Sequence, residues 1–312
     1  MAANLKYTLH QYGTDHKLQR LGVWEINSEP TRRSRHWIVY IHGGAWRDPR
    51  ITHEAFEPSI NHICSSQFDR WDDIAGFASI DYRLSAHPQF PQDPKTTPPY
   101  EYRGARHPDH LDDVRSALVL LQQKYNFTSN YVLVGHSAGG SLAFQLAATS
   151  PMSSESVQPD PVLPAAIVSL EGLYDFPGIN ERFKGAYAPF FEAAFGGAAE
   201  WYAASPIKYH ESYARKWPEG NLIILAYSRS DTLLDGDEVD NMAERLVEVD
   251  RFAEIRVGSD EGPSDKRLNR LVVHRDLRGD HDEIWQDGEE VARMVSVALH
   301  GVGNGVTQGK MP

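Results

Sequence analysis

Residues 131–148 read YVLVGHSAGGSLAFQLAA. The first four are β-branched or large apolar residues, which suits a strand buried on both faces. The last eight suit a packed helix, and the six between are mostly small. Gly135-His136-Ser137-Ala138-Gly139 is a G-x-S-x-G pentapeptide, and its position between an apolar run and a helical run gives it meaning. A strand that turns sharply into a helix pushes the central serine hydroxyl out above the sheet, and only small neighbours fit that turn. The helix N-terminus then points its free N–H groups at any negative charge that develops beside the serine. Ser137 is the candidate nucleophile, and the Ala138 N–H a candidate oxyanion donor.

Outward from this turn, short apolar runs alternate with amphipathic stretches. The runs are 37–41 (WIVYI), 74–80 (IAGFASI), 131–134, 165–170 (AAIVSL), 222–227 (LIILAY) and 271–273 (LVV). Such alternation predicts an α/β fold with a mostly parallel central sheet and helices on both faces. Residues 6–26 suggest two early edge strands. Leu111, Val114, Leu118 and Leu121 recur at helical spacing within 108–125, with Asp109, Asp112 and Asp113 at the end where the helix dipole favours acids. Further helices are expected at 238–249 and 288–300. The reading is of one domain over 1–300, with a proline-rich irregular insertion at 85–106, a plain connection at 151–164 and a disordered glycine-rich tail at 301–312.

His42-Gly43-Gly44-Ala45-Trp46 follows the first long apolar run. Glycines let the backbone approach a substrate and turn its N–H groups inward, so Gly43, Gly44 and Ala45 are candidate partners of Ala138 in an oxyanion hole. His42 reads as a brace of that loop, and Trp46 as a wall of the pocket.

When the serine lies on a strand–helix turn of this kind, the acid and then the histidine follow it in the chain. The run 221–231 (NLIILAYSRSD) ends on Asp231, the candidate acid, with Asp235 and Asp237 as rivals farther from the strand end. The run 270–277 leads into Arg278-Gly279-Asp280-His281-Asp282, a turn-like stretch that makes His281 the candidate base. His274 falls inside the strand and reads as a packed residue. No H-E-x-x-H and no paired cysteines occur, nor is there a glycine-rich phosphate loop. No metal and no cofactor is therefore expected.

The H-G-G-A-W loop, the G-H-S-A-G-G turn about ninety residues later, the longer stretch 40–49 (YIHGGAWRDP) and 81–84 (DYRL) together resemble the kynurenine formamidases, in particular the fungal type. Asp231-Thr-Leu-Leu and the His281–Ile284 stretch resemble that family's acid and histidine segments. The resemblance runs from about Trp37 to about Trp285. It implies the α/β-hydrolase fold and hydrolysis of N-formyl-L-kynurenine to L-kynurenine and formate in tryptophan catabolism, through a formyl-serine. A small acyl pocket beside an aromatic one would suit that substrate. Trp46, Phe90, Tyr100, Tyr102 and Tyr187 are candidates for the aromatic side, and Ser141 reads as helix surface or cap. The resemblance also implies the option of a homodimer. Two alternatives share these motifs: a general carboxylesterase for short acyl esters, and a silent binding module on the same fold.

A formal charge of −12 argues against nucleic acid and anionic membranes, which attract a basic face, and leaves a small-molecule partner. Cys64 is the single cysteine, so no internal disulfide can form. No apolar run reaches the roughly 18 residues of a membrane span, and the first residues lack an apolar core, so a cytoplasmic setting is expected.

Overall fold

A computed structural model describes residues 5–26, 35–148, 160–217, 221–255 and 269–303. Among these residues nine strands form one sheet: β1 Leu5–Gln11, β2 Arg20–Ile26, β3 His36–Ile41, β4 Ile74–Ile80, β5 Tyr131–His136, β6 Ala166–Leu170, β7 Leu222–Ser228, β8 Ala253–Glu254 and β9 Arg270–Leu277. Their spatial order is β1-β2-β4-β3-β5-β6-β7-β9-β8. The β1–β2 and β2–β4 pairs are antiparallel, and every later pair is parallel. The six apolar runs of the sequence each fall on a strand. Strands β5 and β6 are buried along their whole length, which is why they lack the polar alternation of a half-exposed sheet.

Among the described residues ten α-helices connect and cover the strands: α1 Glu57–Ile63, α2 Asp109–Tyr125, α3 Ala138–Ala148, α4 Phe176–Arg182, α5 Ala188–Ala194, α6 Ala198–Ala204, α7 Tyr213–Lys216, α8 Gly236–Glu248, α9 Glu283–Asp287 and α10 Glu289–Gly303. Leu118 of α2, Phe144 of α3 and Met242 of α8 join one apolar layer against the sheet. Ile60 of α1 with Val291 and Leu299 of α10 form the layer on the opposite face. Helix α2 ends where Asn126 turns left-handed, a conformation its short polar side chain tolerates.

The insertion at 85–106 is irregular apart from isolated turns and one short 3₁₀ helix, Pro99–Glu101. Helix α10 continues to Gly303 and so takes in the first three residues of the expected tail; 304–312 lie outside the described residues, as does 151–159 of the expected connection. No described helix is long and apolar enough to cross a membrane.

Candidate active site

The G-x-S-x-G turn joins β5 to α3, and its glycines are required by contact. A Cβ on Gly139 would run into the Ile41 carbonyl oxygen, and one on Gly135 into the backbone of Gly139. Ser137 sits between them with φ 52°, a left-handed conformation that is costly for any residue with a side chain. Its N–H donates to the Leu170 carbonyl at 2.9 Å, tying the turn to the end of β6.

Strand β3 delivers the second loop to the same edge. Gly44, Ala45 and Trp46 are left-handed in succession, at φ 88°, 48° and 60°. A Cβ on Gly43 would come within 2.9 Å of His136 Nδ1 and 3.0 Å of Ser137 Cβ, so glycine permits the two loops to meet. The N–H groups of Gly44, Ala45 and Ala138 meet no acceptor among the described residues. His42 lies under this loop, where its Nδ1–H donates to the Gly43 carbonyl at 2.9 Å and its ring stacks on Tyr82 at 4.5 Å. The Tyr82 hydroxyl lies 3.1 Å and 3.0 Å from the His42 and Gly43 carbonyl oxygens. His42 thus stands in the brace, not in the cavity.

Strands β7 and β9 bring in Asp231 and His281, the acid and base expected from the sequence. The His281 Nδ1–H donates to Asp231 Oδ2 at 2.7 Å, with side-chain exposures of 7% and 0%. Asp231 Oδ1 accepts the N–H groups of Leu233 and Leu234 at 2.7 Å and 2.9 Å. Burial opposes ionisation of Asp231, but the His281 hydrogen bond and charge, with help from Glu171 and Leu234, outweigh it and hold the carboxyl below its ordinary range. The His136 Nε2–H donates to the His281 carbonyl at 3.1 Å, fixing the His281 backbone to the Ser137 turn. Asp235 instead grips Arg182 at 2.7 Å and 2.9 Å, and Asp237 lies 3.7 Å from the same guanidinium. Neither rival reaches His281.

Ser137 and His281 line one cavity of about 320 Å³, within the usual range for small-ligand sites. The Ser137 hydroxyl makes no hydrogen bond among the described residues, and such contacts often tighten only with substrate. Leu173, Phe183, Tyr187, Phe190, Phe191 and Leu234 give the cavity an apolar wall. Asp48, Thr232 and Asp282 supply polar groups, and so does Arg47, whose guanidinium lies 4.0 Å from the Phe190 ring centroid.

Two of the five aromatic residues expected in the pocket line it: Trp46 and Tyr187. Phe90 and Tyr102 line a separate depression, and Tyr100 is exposed against the N-terminal hairpin, with Gln11 donating to its hydroxyl at 3.1 Å. The Lys17 N–H donates to the Tyr100 carbonyl at 2.9 Å, tying this part of the insertion to the N-terminal hairpin, while His87 is the insertion residue that lines the cavity. Ser141 is buried in α3 and donates to the Leu173 carbonyl at 2.7 Å. The phenylalanines at 183, 190 and 191 were missed in sequence, although with Tyr187 and Phe195 they follow a roughly helical spacing.

No family model matches the chain. Solved structures with the same architecture include an acetyl ester-xyloside bifunctional hydrolase from Caldicellulosiruptor lactoaceticus, at TM-score 0.59 and 15% identity over 91% of this chain and 88% of that one. Esterase B from Lactobacillus rhamnosis superposes at TM-score 0.65 and 12% identity, over 96% and 87%. The fold is therefore that of the α/β-hydrolases. Among curated proteins, a kynurenine formamidase-like hydrolase of Fusarium equiseti is 34% identical, covering 91% of this chain and 90% of its own. A kynurenine formamidase of Aspergillus versicolor is 34% identical over 82% and 86%, and one of Meyerozyma guilliermondii 31% over 76% and 80%. The chain belongs to the kynurenine formamidase family of hydrolases.

Proposed function

We propose that this protein hydrolyses N-formyl-L-kynurenine to L-kynurenine and formate in tryptophan catabolism, with Ser137 as nucleophile, His281 as general base and acid, and Asp231 as the carboxylate that orients His281. The observation that carries the reading is the 2.7 Å bond from His281 Nδ1 to a buried Asp231. It leaves Nε2 as the proton acceptor of a ring that shares its cavity with Ser137.

In this reading Ser137 Oγ attacks the formyl carbon while its proton passes to His281 Nε2. The oxyanion is received by the N–H groups of Gly43, Gly44 or Ala45 with that of Ala138. His281 returns the proton to the arylamine nitrogen, the C–N bond breaks and kynurenine leaves. A water molecule, deprotonated by His281, then attacks the formyl-serine, releasing formate and restoring the hydroxyl. The apolar wall around Phe190 and Phe191 suits an aromatic leaving group, and Arg47 with Asp282 suits the charged ends of an amino acid.

The test is the absorbance change when purified protein meets N-formylkynurenine, with Ser137→Ala alongside. The variant is expected to fold normally and lose at least about 10⁴ in kcat. Wild-type turnover by Ser137→Ala would overturn the mechanism. An equal or higher kcat/KM on a p-nitrophenyl ester would assign the site to a short-acyl carboxylesterase. No turnover of either substrate, together with no fluorophosphonate labelling of Ser137, would make it a binding module.

A further inference from the structure

Glu171 follows directly on β6, one residue beyond the backbone position that receives the Ser137 N–H. It is completely buried and left-handed, at φ 49°. Its own N–H donates to the Ala226 carbonyl at 2.9 Å, and its Oε1 accepts the Ser228 N–H at 2.8 Å. The residue is thus anchored to β7 at both ends, next to the loop that carries Asp231. A carboxyl oxygen of Glu171, one of Asp231 and a ring nitrogen of His281 all lie within 4.8 Å of one another.

The second oxygen, Oε2, is buried and receives no N–H or O–H donor among the described residues, and Glu171 belongs to none of their ion pairs. The titratable groups facing it are Asp231 after β7, Asp280 and His281 after β9, and Tyr174 beyond β6, with His136 packed on His281. No lysine or arginine is among them. Two ionised carboxylates at this distance, sharing one imidazole and no lysine or arginine, would repel strongly in a dry site, which favours a neutral form of one of the pair. Asp231 has two backbone donors and an imidazole, and Glu171 has one backbone donor.

We propose that Glu171 is a neutral carboxylic acid whose O–H donates to the Asp231 carboxylate. It is a positioning residue that extends the row Ser137–His281–Asp231 by one member. Burial first, and then the hydrogen bond and charge of Asp231, push its carboxyl up to about 10, so the neutral form spans the neutral pH range. As a donor it fixes the Asp231 carboxylate in plane and draws electron density from it. As an acid that does not ionise, it adds no second anion beside His281. This role rests on the serine-hydrolase reading above, although the neutral state of Glu171 can be tested without it.

The test compares Glu171→Leu, which removes the donor, with Glu171→Gln, whose amide both donates and accepts. Glu171→Leu is expected to lower kcat about 10-fold or more with KM changed less than about twofold, on the scale of losses seen when an outer hydrogen-bond partner that orients a functional side chain is removed. Its acid limb in kcat/KM should move to higher pH, because an undamped Asp231 stabilises the imidazolium more. Glu171→Gln should recover to within about threefold of wild type, with its acid limb within about 0.3 pH units. In the infrared, wild-type protein at pH 7 should carry a protonated-carboxyl stretch that Glu171→Gln lacks; this readout survives even if Glu171→Leu fails to fold. An acid limb in Glu171→Gln displaced downward by about a unit or more would mean an anion had been removed and would overturn the proposal. So would absence of the infrared band, wild-type kinetics in Glu171→Leu, or chelator-sensitive activity restored by zinc, which would make the three residues a metal site. Failure of the serine reading alone would appear as retained turnover by Ser137→Ala with the infrared band intact.

Discussion

The assignment of the acid can be tested by one atom's exchange, Asp231→Asn. The two N–H groups of Leu233 and Leu234 reach Oδ1 at 2.7 Å and 2.9 Å, so the asparagine carbonyl oxygen must take that place. Its NH₂ group then falls where Oδ2 stood, 2.7 Å from His281 Nδ1, and presents a donor to what had been a donor. His281 answers by carrying its proton on Nε2, where it can no longer accept one from Ser137. The same exchange in a serine protease triad costs about 10⁴ in kcat, or about 5.5 kcal/mol of transition-state stabilisation. Asp231 does not line the cavity, so KM should stay within about threefold, and the preserved backbone bonds should limit the stability change to about 1 kcal/mol. Asp235→Asn is the control. It weakens a partly exposed pair with Arg182, worth about 1 kcal/mol or less, and should leave kcat within about twofold. The assay is steady-state turnover of N-formylkynurenine with thermal melts of both variants. A kcat within about tenfold of wild type for Asp231→Asn, or the large loss in Asp235→Asn instead, would refute the reasoning.

Two further predictions concern pH and the pocket wall. Ser85 Oγ donates to the Ala105 carbonyl at 2.8 Å, so His110 Nε2–H must donate to Ser85 at 3.0 Å, and this buried ring is neutral. Burial first, then His107 and Arg83, push His110 down to about 3; burial first, then Arg115, push His107 down to about 4. Both lie below the unfolded value of about 6.5, so the unfolded chain binds protons first, and their contribution is present above that pH and lost as pH falls towards 4 and 3. Urea unfolding should lose up to about 1.4 kcal/mol per pH unit for each ring below pH 6, and His110→Gln should flatten the slope; equal slopes in both proteins would contradict this. Phe190→Ala should raise KM about fivefold or more by removing an aromatic wall and the face under Arg47, while Phe90→Ala should change it less than twofold. The reverse ranking would relocate the aromatic site to the insertion.

What was legible in the sequence follows from where information is local. Strands buried on both faces announce themselves as unbroken apolar runs, so the central sheet could be read. Gly135 and Gly139 were legible because a strand–helix turn needs small residues at fixed offsets. Asp231 and His281 stood out by chain order and by the rule that each follows a strand, and the fold brings their side chains within 2.7 Å. The pocket wall was legible only at Trp46 and Tyr187. The aromatics from 183 to 195 have roughly helical spacing, but Gly185, Pro189, Gly196 and Gly197 break the pattern into short pieces. Phe90, Tyr100 and Tyr102 misled because the path of a proline-rich segment is set by distant partners, here Lys17 and Gln11, and not by its own residues. Glu171 gave still less warning. A lone acid after an apolar run reads as a solvated strand end, and only the pairing of Leu170 with Ala226 across β6 and β7 places it beside Asp231.

The parallel sheet explains why the site collects where it does. Parallel strands present their carboxyl ends at one edge, so the loops after β3, β5, β6, β7 and β9 reach one region without any contact local in sequence. Seven non-glycine residues among those described are left-handed, and four of them, Ala45, Trp46, Ser137 and Glu171, stand just past β3, β5 and β6. Strain of this kind persists only where surrounding packing over-determines it, and it concentrates where function fixes a side chain or an N–H. Three of the four lie in the serine turn or the loop that faces it. The fourth is the glutamate behind Asp231. Among the described residues Glu171 is left-handed, dry and without a lysine or arginine partner, and it faces the carboxylate that accepts the His281 Nδ1–H.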